Sequence, residues 1–136
     1  MKSKLQKLYK KYPKILDRVP FECGDGWYNL LAHLCDQLQF DIDRNDYQQI
    51  KFTQIKEKFG TLRAYFNWDY MGSTERALTE SAQRKMGCQE GAVHFAELLS
   101  SSICEVCGSH EGKKYIINYW HYTRCPECAK KLKAIK

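Results

Sequence analysis

The chain has 136 residues and a formal net charge of +6, with 43% hydrophobic and 28% charged residues. This length suits one domain with a sizeable core, and no run of 18 apolar residues predicts a membrane-spanning helix. The charge is uneven, because residues 1–20 carry +6, residues 21–50 carry −5, residues 51–100 carry +1 and residues 101–136 carry +4. The basic ends predict either a non-specific nucleic-acid footprint or solvated helix faces.

Two helices are predicted in the first third of the chain. Residues 4–12 place leucines and tyrosines at helical spacing, and this helix is expected to end before Pro13. Residues 27–38 follow an i, i+3, i+4, i+7 apolar pattern typical of an amphipathic helix. Asp25 stands just ahead of it, where its carboxylate is expected to cap free N–H groups or, alternatively, to face a ligand.

The middle of the chain predicts a hairpin and a further helix. Residues 47–67 alternate apolar and polar side chains, and Gly60 marks the expected turn between two strands. Residues 74–100 are predicted to be helical, with an interruption near Gly87 and Gly91 and a second half packed on the core. The expected fold class is α+β, with helices on a small antiparallel sheet.

Cysteine spacing is the strongest signal in the sequence. Residues 104–128 read CEVCGSHEGKKYIINYWHYTRCPEC, which is two CxxC pairs separated by 17 residues. The basic N-terminus lacks the apolar run of a signal peptide, so a reducing cytoplasm is expected, where CxxC pairs bind metal more often than they form disulfides. We therefore predict one structural Zn²⁺, with iron as the minor alternative. The predicted ligands are Cys104, Cys107, Cys125 and Cys128.

The segments around the cysteines predict a compact metal module. Residues 113–123 have the β-rich composition of a hairpin, and residues 129–136 read as a short basic helix. The order knuckle, hairpin, knuckle, helix is similar to a treble-clef finger, and a zinc ribbon is the near alternative. We expect a single domain, in which an α+β core (1–100) carries this zinc-binding module (101–136). The remaining cysteines are predicted to be unreactive: Cys23, Cys35 and Cys88.

Four stretches together carry a resemblance. They are CGDGW (23–27), KEKFGTLRAYF (56–66), HFAELLSSSICEVCG (94–108) and WHYTRCPEC (120–128). In this order they resemble a family of small, largely uncharacterised proteins of bacteriophages, prophages and bacterial genomes. The resemblance implies a cytoplasmic protein, either of a bacterium or of a phage-infected cell. It implies no particular activity.

The charged residues around the predicted turn are candidate partner-binding residues. One interpretation is an ordinary surface ion pair between Arg63 and Glu57 across the hairpin. The other is a cationic face suited to a phosphate or a stacked base. The candidate set for that face is Asp25, Lys56, Glu57, Lys58, Arg63 and Tyr65.

Three functions are compatible with these features. The first is a non-enzymatic zinc-binding accessory protein of phage or prophage type that binds a host protein or a nucleotide signal and so interferes with host defence. The second is a nucleic-acid-binding zinc-finger protein that uses the basic ends. The third is a degenerate HNH-like nuclease, for which the segment offers His110, Asn118 and His121. It lacks the Asp-His start and the downstream histidine of that pattern, and a four-thiolate zinc has no open position for catalysis.

Overall fold

The structure is a computed structural model, which describes residues 3–69 and 79–134. It combines short helices with two small sheets and confirms the predicted α+β class. Within these residues, no helix is both long enough and apolar enough to cross a bilayer. The elements, in chain order, are α1 (Leu8–Lys11), α2 (Pro13–Leu16), β1 (Phe21–Glu22), α3 (Tyr28–Arg44), β2 (Ile50–Lys58), β3 (Thr61–Trp68), α4 (Glu80–Ser100), β4 (Lys113–Ile117), β5 (Trp120–Arg124) and α5 (Pro126–Ala134).

The main sheet is mixed rather than antiparallel. Strand β2 pairs antiparallel with β3, as the hairpin pattern predicts, but the two-residue strand β1 pairs with β2 in parallel. The prediction of a purely antiparallel sheet is wrong, because β1 is too short to show any periodicity in the sequence. The register also shifts between Phe52 and Gln54, leaving Thr53 as a bulge. This bulge lets Phe52 and Ile55 both enter the core, although strict alternation would send Gln54 there.

The N-terminal segment differs from the single predicted helix. A 3-10 turn (Lys4–Lys7) leads into α1, and a separate short helix, α2, starts with Pro13 in its first turn. The prediction that Asp25 caps the second helix is wrong. Neither α3 nor the 3-10 turn before it (Asp25–Trp27) has a side-chain cap. The Asp25 carboxylate instead accepts hydrogen bonds from the Ser3 hydroxyl and the Lys4 N–H, and these bonds lower its pKa.

The long helix α4 is continuous where an interruption was predicted. It runs through Gly87 and Gly91 without a break, and a Cβ atom at either position would meet no atom within 4 Å. The interruption is wrong because glycine weakens an exposed helical position without removing its backbone hydrogen bonds. Predicted residues 74–78 of this helix lie outside the described part. Five apolar residues of this helix were expected to pack on the core. Val93 and Ala96 are buried, whereas the other three are exposed: Phe95, Leu98 and Leu99.

Side chains of helix α4 accept hydrogen bonds from backbone N–H groups at the free edge of the sheet. Strand β3 lies at the edge, so every second N–H group points away from β2 and lacks a strand partner. The Leu62 N–H donates to the Ser100 hydroxyl at 2.8 Å, and the Ala64 N–H donates to a carboxylate oxygen of Glu97 at 2.9 Å. Side chains of α4 therefore take the place of a further strand, and they hold the β2–β3 hairpin in a defined position.

A buried glutamine makes the other polar tie between α4 and the sheet. Gln89 is only 1% exposed, accepts a hydrogen bond from the Trp68 indole N–H at 2.8 Å and donates to the Gln48 carbonyl at 2.8 Å. Replacing Gln89 with alanine should lower the free energy of unfolding by about 2 kcal/mol, because the Trp68 indole N–H and the Gln48 carbonyl would each lose a hydrogen bond in a partly buried setting. Urea denaturation measures the change. The exposed neighbour provides the control, since Glu90→Ala should alter stability by less than about 0.5 kcal/mol. Equal effects of the two substitutions would contradict a stabilising role for the two hydrogen bonds of Gln89.

Candidate metal centre and the adjoining groove

Four cysteine side chains converge in the C-terminal module. The sulfur atoms of Cys104, Cys107, Cys125 and Cys128 all lie within 4.8 Å of one another. The 3.6 Å between the sulfurs of Cys107 and Cys125 is far longer than a disulfide bond, which is about 2.05 Å. It is close to the separation of about 3.8 Å expected between two thiolates on one tetrahedral metal with 2.3 Å bonds. The predicted ligand set is thus brought together, and its geometry is compatible with one metal ion.

Local backbone structure shapes the two cysteine turns. In the first, the Gly108 N–H donates to the Cys104 carbonyl at 2.9 Å, and Gly108 has a φ of +81°, which favours glycine. In the second, Cys125 directly precedes α5, and Cys128 lies in the first turn of that helix. The helix starts at Pro126 and not at residue 129 as predicted, because proline is well suited to a first helical position. The predicted hairpin between the turns is confirmed as β4 and β5.

The electrostatics of the cluster favour a cation. Burial opposes the charge on Cys104, but N–H groups of Cys107, Cys125 and Val106 donate to its sulfur and lower its pKa to about 6. Burial and hydrogen bonds with the other thiols raise the pKa of Cys128 to about 12. The thiols also hydrogen-bond to one another, as Cys107 and Cys125 do at 3.6 Å. A divalent cation would replace the thiol protons and stabilise the thiolates, so binding releases protons and weakens as the pH falls.

The first cysteine turn is seated on the glycines of the CGDGW stretch. The Gly26 N–H donates to the Glu105 carbonyl at 2.8 Å. A Cβ atom at Gly26 would lie 2.1 Å from the Cys104 carbonyl oxygen, and one at Gly24 would lie 2.4 Å from the Glu105 carbonyl oxygen. Next to them, the indole N–H of the fully buried Trp27 donates across 2.9 Å to the Ile103 carbonyl. Only glycine allows this approach of backbone to backbone.

The second contact joins the KEKFGTLR turn to the C-terminal module. The Thr123 hydroxyl donates to the Gly60 carbonyl, and the Thr123 carbonyl accepts from the Glu105 N–H at 3.0 Å. Gly60 has a φ of +82°, and its N–H donates to the Glu57 carboxylate at 2.6 Å. All four stretches that carry the family resemblance therefore meet where the metal module packs on the core.

The predicted partner-binding residues occupy different surfaces. Lys56 and Arg63 are cross-strand partners, and with Lys58 and Tyr65 they share the outer face of the hairpin. Glu57 lies on the opposite face, where it caps the turn, so the ion pair considered between Glu57 and Arg63 is not formed. Asp25 is placed elsewhere, on a 550 Å³ cavity with residues of the N-terminal turn.

A groove lies between the two hairpin turns. Its volume is 460 Å³, and it brings together residues of β2, the β2–β3 turn and the tip of the β4–β5 hairpin. The ring of Phe59 packs edge-on against His121, with 5.4 Å between the ring centres. The aromatic lining was not predicted, although each of its members lies in or beside a predicted hairpin turn. The lining residues are Lys56, Glu57, Lys58, Phe59, Tyr119, Trp120 and His121.

The isolated cysteines differ in burial. Cys35 is buried on α3, which confirms its prediction as a small core residue. Cys23 is half-buried, and burial together with the nearby carboxylates of Glu105, Asp25 and Glu57 raises its pKa to about 12. Its thiol therefore stays protonated at neutral pH and is a poor nucleophile. Cys88 is exposed on α4.

Comparisons with protein-family models, curated proteins and solved structures find no match to this chain. No family or activity is therefore assigned to this chain from another protein.

Metal analysis tests the cysteine cluster directly. Purified protein should contain about one equivalent of tightly bound metal per chain, and Cys125→Ser should lose it together with much of the stability of the C-terminal module. Elemental analysis and thermal denaturation measure the two effects. Cys88→Ser is the matched control and should change neither, because Cys88 is outside the cluster. Less than about half an equivalent of metal in the unmodified protein would contradict the site.

Two glycine substitutions test the seating of the first cysteine turn. Gly26→Ala should destabilise the protein by about 3 kcal/mol, because the new methyl group has rigid backbone atoms in its place. Gly87→Ala should instead stabilise it by about 0.5–1 kcal/mol, since this helical position is open. Chemical denaturation of both variants, with metal content recorded, gives the comparison. A neutral Gly26→Ala would show that the close approach is unimportant.

Proposed function

We propose that this chain is a non-enzymatic binding protein built around a structural zinc ion in a treble-clef-type finger. Four thiolates form a closed tetrahedral set with no position for water or substrate, which suits structural zinc. The position of Cys128 in the first turn of α5 supports a treble clef over a plain zinc ribbon. The seating of the first cysteine turn on Gly24 and Gly26 supports a role for the metal in holding the whole fold.

The unpaired cations of the β2–β3 hairpin carry the binding proposal. Most of KEKFGTLR has a structural task, since Glu57 and Gly60 build the turn and Leu62 is buried in the core. Lys56, Lys58 and Arg63 do not, and within the described residues none of the three makes an ion pair. Three uncompensated positive charges on one face of a hairpin favour an anionic partner. The binding surface is therefore this face together with the groove at its end.

The resemblance in the sequence supports a biological setting for the proposed binding. It supports an accessory protein of phage or prophage type that works in a bacterial cytoplasm and binds a host protein or a nucleotide signal, with interference in host defence as the outcome. The four stretches behind the resemblance meet at one interface here.

A nucleic-acid-binding zinc-finger protein is the second candidate, and it is favoured by the aromatic lining of the groove. The nuclease alternative gains no such support. Among the described residues, the cysteine cluster is the only group of three or more Cys, His, Asp or Glu side chains with metal-ligand spacing. His121 packs on Phe59 instead of joining a metal-binding set with His110.

Charge reversal on the hairpin tests the binding surface. The double variant Lys58→Glu, Arg63→Glu should lose the partner captured by the unmodified protein from a bacterial lysate, while its melting temperature stays nearly the same. Lys10→Glu, Lys11→Glu is the matched control, because it makes the same change in net charge on the exposed side of α1. Capture is compared with and without nuclease treatment, and protein, nucleotide and nucleic acid are each identified.

Two results would overturn the surface. If the hairpin variant unfolds, Lys58 and Arg63 are structural residues. If the hairpin variant and the control lose the same material to the same extent, retention depends on net charge and not on this face.

A further inference from the structure

We infer that the groove between the two hairpin turns binds single-stranded nucleic acid, with a base stacked on the aromatic side chains and phosphates held by the lysines. This inference rests on the proposed function in its second, nucleic-acid-binding form, because it names the ligand of the same surface.

Two aromatic residues in the groove have a strained backbone. Phe59 has a φ of +55° in the β2–β3 turn, and Tyr119 has a φ of +68° in the β4–β5 turn. This left-handed region is unfavourable for bulky residues, and two-residue hairpin turns of this kind prefer asparagine or glycine. Phe59 and Tyr119 also remain 57% and 96% exposed, so little burial compensates for the strain. An exposed aromatic residue at a position that prefers glycine indicates selection for recognition.

The exposed rings belong to one site although they come from distant parts of the chain. Phe59 and Tyr119 line the same 460 Å³ groove as Trp120, which is 68% exposed. This volume lies within the range of small-ligand sites and suits a unit the size of one nucleotide. The Thr123–Gly60 hydrogen bond holds the two turns together, so the three rings stay within reach of one ligand. Stacking on such a platform accepts any base, because every base has a flat π face.

The charge of the groove complements a phosphate backbone. Lys56 and Lys58 line it, and Lys58 lies with its ammonium group 5.7 Å from the centre of the Phe59 ring. The only acid in the lining, Glu57, binds the Gly60 N–H and does not pair with either lysine. Arg63, the cross-strand partner of Lys56, extends the positive charge along the outer face of the hairpin.

A single strand fits these features better than a duplex or a protein. In a duplex the bases stack on one another and cannot reach a side-chain platform, whereas the bases of a single strand are free. An acidic peptide would use the lysines but gives no reason for three exposed rings beside them. Lysine lacks the planar fork that reads base edges, so binding should not depend on sequence.

Fluorescence anisotropy with labelled oligonucleotides tests the inference on the full-length, metal-bound protein. The probes are a 12-nucleotide oligothymidylate, the corresponding oligouridylate, a duplex of the same length and thymidine monophosphate as a competitor. The single strands should bind at least about tenfold more tightly than the duplex and than the mononucleotide. Their affinity should fall steeply with added salt, because phosphate contacts release counterions.

Variants separate recognition from simple stability. Tyr119→Gly should raise the melting temperature, because glycine relieves the strained turn, and should weaken single-strand binding about fivefold or more. A purely structural role for Tyr119 would not combine these two changes. Trp120→Ala should weaken binding about tenfold, whereas Phe40→Ala, at an exposed aromatic residue on α3, should leave it unchanged.

The remaining outcomes each overturn the inference. Equal binding of duplex and single strand, with Trp120→Ala unaffected and Lys10→Gln, Lys11→Gln impaired, would assign binding to the basic ends. Equal affinity for the mononucleotide would make a free nucleotide the ligand. Failure of every oligonucleotide to bind, combined with nuclease-resistant capture that depends on Lys58 and Arg63, would leave the proposed function standing with a protein partner.

Discussion

The contact on which the rest of the structure depends is the seating of the first cysteine turn on Gly24 and Gly26. Backbone packs on backbone there, at a distance that no side chain permits. The buried Trp27 adds a hydrogen bond to the Ile103 carbonyl beside it. A metal that orders the cysteine turn therefore also orders a surface of the α+β core. A metal bound by the four cysteines would link its binding to folding through this contact, because the free energy of one contributes to the other.

The same arrangement decides where the two hairpins lie. Side chains of α4 accept hydrogen bonds from the edge of β3, and Thr123 joins the β2–β3 turn to the finger. Neither hairpin would be positioned by its own strands alone, since a two-stranded hairpin is marginally stable in water. Their fixed placement puts Phe59 and Tyr119 on one groove. The strained turns at both residues lower stability slightly, and the rest of the fold carries that cost.

Residues with a structural task alternate with residues that carry free charges within a single motif. In KEKFGTLR, alternate positions point to opposite faces, so Glu57 serves the turn while Lys56 and Lys58 meet solvent at the groove. The cysteine cluster similarly offers four sulfur ligands, which is a complete set for one tetrahedral metal ion. The fold leaves Lys56 and Lys58 without an ion pair beside exposed rings, and the proposed binding role rests on this observation.

Features that depend on local spacing could be read from the sequence alone. These include the clustering of the four cysteines of the CxxC pairs, the amphipathic helix α3, both hairpins and the α+β class, because each depends on a spacing that the chain displays directly. Contacts between distant residues could not be read in this way. The parallel pairing of β1, the bulge at Thr53, the capping of the N-terminal turn by Asp25 and the aromatic groove all depend on which segments meet in space. Only the tertiary structure decided these features, since a side chain's partner is chosen by packing and not by its neighbours in the chain.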